Sequence, residues 1–368
     1  MHKIHIEGPP LERGRMHGRL LREPIRAHLD VWGQAVRSNY GIGPDQLIRK
    51  FLSETNFTAA ISRWTPELLD EFSGIADGAG VEPEAIYTLN MLDEVWTRYG
   101  KAGIPLEHCS SIAWKGSANS PPIVAQNMDI EAFRDGFQTV IHVTHPTSRQ
   151  EQLLVSFAGG IGLLGLNNRG LGLCVNALLQ LNSSIDGLPV ACVVRGVLDQ
   201  TNAVDAHDFL RQVTHATGQN YVIAAQDGIY GVECSANKVV TIQNQDGSAG
   251  LWHTNHPLVN DDVSERFLNP TDTLRDAAAR RFTNSSTRLQ SLEKNLGSIA
   301  NASVETIRRA LTAKDSEQFP VCVSKTDPLV SFTFASTIMV LGEKPEMWVA
   351  PGPPDITESE LVTIDSIR

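Results

Sequence analysis

The sequence predicts an α+β protein in which two β-sheets pack together and are enclosed by helices. Three observations indicate this fold class: helical periodicity through about the first hundred residues, strand periodicity from residue 109, and strand pairs that alternate with helix pairs thereafter. Of the 368 residues, 41% are hydrophobic and 20% are charged, as in ordinary globular proteins. A chain of this length and composition can bury a large core.

The helical part extends from residue 18 to about residue 100. GRLLREPIRAHLDVW, PDQLIRKFLSE, PELLDEFSGIADGAG and EPEAIYTLNMLDEVW carry apolar residues three and four positions apart. Pro or Asp stands near several of their starts and Gly near some of their ends, as is typical of helix boundaries. Residues 1–108 are therefore expected to form a helical N-terminal segment.

Strands begin after this segment. SSIAW, PIVAQNMDI, FQTVIHVTH and QLLVSFAG alternate with turn-forming stretches such as KGSANSPP and PTSRQ. The first two predict a hairpin that brings Cys109 near Asn127 and Asp129. GGIGLLGLNNRGLGLCVNALL predicts two more strands around an Asn-Asn turn. Further helix pairs and strand pairs follow, so residues 109–368 are expected to form one sheet-containing unit.

Composition argues against several classes of function. The formal net charge is -11 and the basic residues are scattered, so nucleic acid is not an expected partner. No apolar run is long enough to span a bilayer, and no secretory signal is visible. The five cysteines are widely separated without a CxxC pair, and His253 and His256 lack a third ligand. We therefore expect a cytoplasmic protein with reduced thiols, no metal and no cofactor.

The stretch EHCSSIA places a cysteine where the periodicity changes. A free cysteine is by default a small buried apolar residue. A strand that begins Cys-Ser-Ser after a helical segment instead indicates a peptide bond that is cut to expose a new N-terminus. The Cys109 thiol would attack the preceding carbonyl, and hydrolysis of the resulting thioester would free an α-amine. That amine can act as a base near neutral pH.

Several motifs occur in an order that resembles one family. GPPLERGRMHGRLL and LLDEFSGIADGAGVEPEAIYTLNMLDEV precede HCSSIAW and AQNMDI, and GLNNRGLGLCVNAL and WHTNHP follow. This set resembles the acyl-coenzyme A:6-aminopenicillanic acid acyltransferase family of autoproteolytic N-terminal nucleophile hydrolases, related to choloylglycine hydrolases and penicillin V acylases. The resemblance implies a four-layer αββα fold. It also implies a precursor cut between His108 and Cys109 into an α chain (1–108) and a catalytic β chain (109–368).

The resemblance also assigns roles to single residues. It makes Cys109 the nucleophile and gives Asp129 the task of holding the new α-amine or polarising the thiol. Asn176 resembles the residue that donates to the oxyanion, Asn255 a second active-site asparagine, and Arg288 the active-site arginine of the choloylglycine relatives. The alternatives are that Asp129 accepts backbone hydrogen bonds at a strand end, that Asn176 and Asn255 close turns, and that Arg288 is a solvated helix residue.

Two departures from the relatives concern Gln126 and His108. The choloylglycine relatives carry arginine at the position of Gln126, and the penicillin acyltransferase is cut after glycine rather than histidine. Gln126, Asn127 and His256 are expected to contact substrate.

The sequence therefore predicts an autoactivated cysteine amidohydrolase that cleaves a small N-acyl amide through an acyl-Cys109 thioester. An alternative is an acyltransferase that moves an acyl group from coenzyme A or an amide to a small amine. An alternative of another class is an uncut binding protein on the same scaffold. The expected partners are a small amide or thioester and the chain's own retained α chain, in a possible homo-oligomer.

Overall fold

The computed structural model describes residues 1–100, 109–118, 120–243, 248–326 and 330–367. Within these ranges the strands are β1 (His2–Glu7), β2 (Ser110–Trp114), β3 (Ile123–Glu131), β4 (Gln138–Thr144), β5 (Glu151–Phe157), β6 (Leu164–Asn167), β7 (Gly172–Ala177), β8 (Gln219–Ala225), β9 (Gly228–Cys234), β10 (Val239–Thr241), β11 (Gly250–His253), β12 (Ser331–Val340), β13 (Glu346–Ala350) and β14 (Glu360–Thr363). They form two sheets, in the orders β1-β4-β5-β6-β7-β8-β9-β10 and β11-β2-β3-β12-β13-β14.

Helices cover the outer faces of both sheets. In the described ranges they are α1 (Pro10–Leu20), α2 (Arg22–Tyr40), α3 (Pro44–Glu54), α4 (Phe57–Trp64), α5 (Glu67–Ala79), α6 (Pro83–Leu89), α7 (Leu92–Tyr99), α8 (Val190–Leu198), α9 (Ala203–Gln212), α10 (Glu265–Leu268), α11 (Asp272–Leu296) and α12 (Val304–Leu311). None of them combines the length and apolar character that a bilayer crossing requires.

The layers follow from which elements touch. Strands β2 and β3 pack on β7 and β8 across the sheet interface. Helices α8 and α9 pack on the far side of the first sheet, while α11 and α12 pack on the far side of the second. This is the four-layer αββα arrangement, so the predicted fold class is confirmed.

Strand β1 was not expected, because the helical periodicity predicts no strand before Cys109. It pairs in parallel with β4, with Ile4 opposite Ile141 and Ile6 opposite Val143. Ile4 and Ile6 are both buried, which is the period-two pattern of a half-buried strand. The N-terminal segment therefore contributes to the same sheet as strands that follow Cys109.

The glycine-spaced opening of the chain has a packing explanation. A Cβ atom on Gly14 or Gly18 of α1 would lie 2.3 or 2.2 Å from a backbone oxygen of α5, and one on Gly74 or Gly78 of α5 would lie 2.3 Å from a backbone oxygen of α1. No side chain fits at such distances. The two helices therefore cross in backbone contact, which glycine alone permits.

A buried ion cluster joins the N-terminal segment to the rest of the chain. Glu71 of α5 accepts from Arg13 Nε of α1 at 2.7 Å and from Arg195 Nη1 of α8 at 2.7 Å. Burial alone would raise the pKa of Glu71, but the guanidinium groups of Arg195 and Arg13 lower it to about 2. Because Glu71 and both arginines are nearly inaccessible to solvent, removing the carboxylate leaves two buried cations without their partner.

Glu71→Gln is therefore expected to lower the free energy of unfolding by about 3–5 kcal/mol at pH 7. The folded pKa lies below the ordinary value of 4.5, so the carboxylate stabilises the fold above about pH 4.5 and loses this effect as pH falls towards the folded value. Denaturant midpoints at pH 7 and pH 4 should show the gap to the parent protein narrowing at the lower pH.

Glu67→Gln is the matched control. Glu67 also accepts from Arg13, at 2.9 Å, but its side chain is 56% exposed, so we expect a loss of less than about 1 kcal/mol. Equal losses in the two variants would contradict the role given to the buried cluster.

The predicted hairpin around Cys109 is confirmed. Strands β2 and β3 pair antiparallel, with Ser110 opposite Asn127 and Trp114 opposite Ile123. Successive residues of a strand point to opposite faces. Ser111 on β2 therefore faces the first sheet, where it contacts Asn176, whereas Ser110 faces α11, where it contacts Arg288.

Candidate active site

Cys109 lies directly before β2 and is almost fully buried, with 2% of its surface exposed. Its Sγ is 3.6 Å from Met128 Sδ on β3, so the thiol is on the face of the second sheet that packs against the first. Cys109 borders a cavity of about 40 Å³, whose walls are largely apolar and include Ile130, Phe157 and Leu163. Such a cavity holds a few waters.

Arg288 of α11 is the centre of the hydrogen bonding around the start of β2. Its Nη1 donates to the Cys109 carbonyl at 2.7 Å and to Ser110 Oγ at 2.8 Å, its Nη2 donates to Asn255 Oδ1 at 3.0 Å, and its Nε donates to Asn284 Oδ1 at 2.8 Å. Its side chain is fully buried, so the solvated-helix alternative is wrong. Arg288 fixes the backbone of Cys109 in position.

The surroundings of Arg288 also affect the pKa of its guanidinium group. Burial lowers its pKa to about 10, although Asp129 and Cys109 act in the opposite direction. The guanidinium is therefore still protonated at neutral pH. It supplies a positive charge close to the nucleophile candidate in a region from which water is excluded.

Asp129 lies on the opposite face of β3 from the Cys109 thiol. Its neighbour Met128 contacts the thiol, so alternation turns the Asp129 carboxyl towards α11 and Arg288. Neither carboxyl oxygen has a partner in normal hydrogen-bonding geometry among the described residues, and Thr333 lies opposite on β12. Burial raises the pKa of Asp129 to about 8, despite Arg288. This placement favours an interaction with the backbone end of Cys109 over one with its sulfur.

Asn255 bridges Arg288 to the first sheet. Its Nδ2 donates to the Ala177 carbonyl on β7 at 3.1 Å, and its backbone N–H donates to Ser285 Oγ at 2.7 Å. His256 Nδ1 is 2.7 Å from the same Ser285 hydroxyl, and burial lowers the pKa of His256 to about 4. His256 is thus a neutral neighbour of the Arg288 network, and it does not border the cavity at Cys109.

Asn176 lies between the sheets, beside Ser111 rather than at the thiol. Its Oδ1 accepts from Ser111 Oγ at 2.5 Å and from Asn220 Nδ2 at 3.1 Å, and its Nδ2 is 3.5 Å from the His253 carbonyl. Its two neighbours, Val175 and Ala177, border the cavity. Because successive residues of a strand point to opposite faces, the Asn176 side chain lies on the other face of β7 from these two residues, where Ser111 and Asn220 hold it.

Gln126 and Asn127 bind other parts of the protein. Gln126 Nε2 donates to the Val175 carbonyl at 2.5 Å and its Oε1 accepts from the Val175 N–H at 3.0 Å, which ties the two sheets together. Asn127 Nδ2 donates to the carbonyls of Leu311 and Val321 on the α12 side. Neither borders the Cys109 cavity. His108, on the proposed cleavage side, lies outside the described residues.

Four polar residues of the cavity were not predicted from the sequence. Asn90 lies directly after α6, Asp93 and Glu94 lie on α7, Gln219 lies on β8, and all four border the cavity together with Cys109. Burial, and then Asp93, raises the pKa of Glu94 to about 8. The only local signal is a pair of acidic residues inside the otherwise apolar stretch NMLDEVW, a pattern that does not by itself distinguish a site from a helix surface.

Four αββα layers, with a cysteine directly before a central strand, are the architecture of the N-terminal nucleophile hydrolase class. The family model described as acyl-coenzyme A:6-aminopenicillanic acid acyl-transferase matches residues 114–355. The chain belongs to this family. The matched range contains Asp129, Asn176, Asn255 and Arg288, and it begins just after Cys109.

The chain is also similar to individual proteins, at low sequence identity. The chain is 26% identical over 280 residues to the acyl-coenzyme A:6-aminopenicillanic-acid-acyltransferase 40 kDa form of Emericella nidulans, covering 73% of each protein. It is 25% identical over 234 residues to protein dcd1A of Dictyostelium discoideum, covering 55% of this chain and 50% of that protein.

Among solved structures, a mutant conjugated bile acid hydrolase from Clostridium perfringens is similar with a TM-score of 0.45 and 14% identity, over 70% of this chain and 93% of that one. Penicillin V acylase from Agrobacterium tumefaciens is similar with a TM-score of 0.44 and 15% identity, over 70% of this chain and 86% of that one.

Proposed function

We propose that the chain is the precursor of a cysteine amidohydrolase that cuts itself between His108 and Cys109 and then hydrolyses a small N-acyl amide. The observation that carries this proposal is the position of Cys109. Cys109 borders a largely apolar cavity, while its carbonyl is held at 2.7 Å by the buried Arg288. A cysteine that is only a core residue needs neither the cavity nor the charged anchor.

The activation step rearranges the bond before Cys109. The thiol adds to the carbonyl carbon of residue 108, the carbon–nitrogen bond breaks, and the thiol proton passes to the nitrogen, which becomes the α-amine of Cys109. Water then hydrolyses the thioester, leaving a carboxylate on residue 108 and a free thiol. Asp129, whose buried carboxyl faces the backbone side of Cys109, is suited to bind the new amine.

Turnover uses the same sulfur. The α-amine accepts the thiol proton, and the thiolate attacks the substrate carbonyl. The tetrahedral intermediate expels the amine product, which takes a proton from the α-ammonium group, and water then hydrolyses the acyl-Cys109 thioester. Backbone N–H groups and the Asn176 amide are the donors that we assign to the oxyanion, and Asn176 has to leave its present contacts and turn towards the cavity to take this role.

The contacts of residues 1–100 support the proposal that the α chain stays bound after the cut. Strand β1 pairs with β4, Glu71 pairs with Arg195, and Glu94 Oε1 accepts from the Val190 N–H at 2.9 Å. Each contact joins a residue before the cleavage point to one after it. The cut α chain would therefore leave only by breaking a sheet edge and a buried ion pair.

Mass and turnover of the purified protein test the proposal. We expect denaturing mass spectrometry to show residues 1–108 and 109–368 as two species, and N-terminal sequencing of the larger one to begin Cys-Ser-Ser. A set of N-acyl aromatic amides that differ in the acyl group should release free amine. A single unbroken chain with full activity would contradict the cleavage, and an intact chain without activity would favour the binding-protein alternative.

An added small amine distinguishes hydrolysis from acyl transfer on the same enzyme. Hydrolysis yields the free acid at every amine concentration. Transfer yields a new amide in proportion to the added amine, and a predominance of that amide would show that the acceptor is an amine rather than water.

A further inference from the structure

The cavity beside Cys109 has a polar end that the proposed chemistry does not use. Gln219 Nε2 donates to Asp93 Oδ2 at 2.5 Å and to Thr217 Oγ1 at 3.2 Å. These two bonds fix the orientation of the Gln219 amide, so its oxygen is the atom left for another partner. Glu94 Oε1 accepts from the Val190 N–H at 2.9 Å.

Two acceptor oxygens at this end have no partner among the described residues: Glu94 Oε2 and Gln219 Oε1. Glu94 is 3% exposed and Gln219 is fully buried. Buried polar atoms without a hydrogen bond are uncommon, because each carries an uncompensated loss of solvation. Gln219 Oε1 is an acceptor, and Glu94 Oε2 accepts when its carboxyl is ionised. Burial favours the protonated carboxyl and raises its pKa to about 8, so a partner that satisfies both oxygens is a donor with at least two N–H bonds whose positive charge favours the ionised form.

The position of the cavity decides which half of a substrate would reach these atoms. The acyl group stays bonded to Cys109 Sγ during turnover, whereas the amine product has to leave. A small, largely apolar cavity that borders Cys109 suits the half that stays. Its volume of about 40 Å³ accepts a chain of roughly three or four heavy atoms beyond the carbonyl.

We propose that the cavity formed by Cys109, Glu94 and Gln219 binds a short acyl group that ends in a primary ammonium. The substrates are then amides of short ω-amino acids. This inference rests on the proposed function for its reaction and on the two unpartnered oxygens for its specificity. An ammonium donates to Gln219 Oε1 and to Glu94 Oε2, and its positive charge favours the ionised Glu94 carboxylate against the burial that raises the pKa of this group. A methyl group at the same position leaves both oxygens without a partner.

A pair of substrates with the same number of heavy atoms tests the specificity. The 4-aminobutyryl and pentanoyl amides of one aromatic amine differ only in the terminal ammonium or methyl group. We expect kcat/KM of the parent enzyme to favour the 4-aminobutyryl amide by about 100-fold or more. Equal values, or a preference for the pentanoyl amide, would overturn the inference.

Glu94→Gln keeps the shape of the side chain and the bond from Val190 but removes the carboxylate. We expect the preference for the amino substrate to fall at least tenfold, with hydrolysis of the pentanoyl amide retained. Glu84→Gln is the matched control, because Glu84 is exposed on α6 and should leave the preference unchanged. An unchanged preference in Glu94→Gln would remove this residue from the subsite.

A binding measurement tests the proposed subsite independently of the proposed reaction. The Cys109→Ala protein retains the cavity, so calorimetry should show that it binds 4-aminobutyramide more tightly than pentanamide. If it does so while no amide is hydrolysed by the parent protein, the subsite stands and the proposed amidohydrolase function is wrong. If both amides bind equally or neither binds, water alone is the hydrogen-bond partner of the two oxygens, and the inference fails.

Discussion

Cys109→Ala is expected to give one uncut chain of 368 residues with at least about a 10⁴-fold loss of amidase activity. The thiol is the nucleophile both for the cut and for turnover, so alanine stops both steps. The fold should be retained, because Cys109 already borders a cavity and alanine is smaller than cysteine. Mass spectrometry, thermal unfolding and amine release on one preparation measure the three properties together.

The matched control is the same substitution at another buried thiol. Cys234 on β9 is fully buried and lies outside the Cys109 cavity. Cys234→Ala should therefore be cut and should turn over normally per folded molecule. Cys109→Ser should be cut slowly, because a hydroxyl is a weaker nucleophile than a thiol. Retained amidase activity in Cys109→Ala would show that a different residue carries the reaction.

Arg288→Met is expected to lower kcat by about 10²–10³-fold and to slow the cut. Methionine has a comparable length but no donors, so the Cys109 carbonyl, Ser110 and Asn255 lose their common partner. The start of β2 is then free to shift, and a small displacement of a nucleophile has a large effect on rate. Stability should fall as well, because these buried acceptors are left without a donor, so the loss of kcat is measured per folded molecule.

Arg280→Met is the control on the same helix, since Arg280 is exposed and makes none of these contacts. The comparison requires the cleavage rate, kcat per cut chain and the melting temperature for both variants. Normal cleavage and normal kcat in Arg288→Met would show that Arg288 has only a structural role.

The sequence predicted the position of Cys109 well, because the change from helical to strand periodicity and the hairpin are local features. It placed Asp129 near Cys109 for the same reason. It did not reveal which face of β3 carries the carboxyl, since a shift of one residue in the register exchanges the two faces. The contact between Met128 and Cys109 settles this point in the structure.

Contacts between distant parts of the chain were less predictable. Arg288 follows Cys109 by 179 residues, and nothing in the stretch NSSTRLQSL distinguishes a buried anchor from a surface arginine. Glu94 and Gln219 border one cavity because the tertiary fold brings α7 to the start of β8, where Gln219 donates to Asp93. The β1 strand is short and lies before a helical region, so its pairing with β4 depends on the tertiary fold.

Mass spectrometry of the acylated protein tests the central role of Cys109 most directly. The protein is mixed with an activated ester of an acyl group that it accepts, so that acylation is faster than hydrolysis, and the mixture is quenched in acid at increasing times. We expect the 109–368 species to gain the mass of one acyl group, to lose it with hydroxylamine, and to carry it on Cys109 in peptide maps. An acyl group on any other residue, or turnover during which Cys109 is never acylated, would contradict the proposed mechanism.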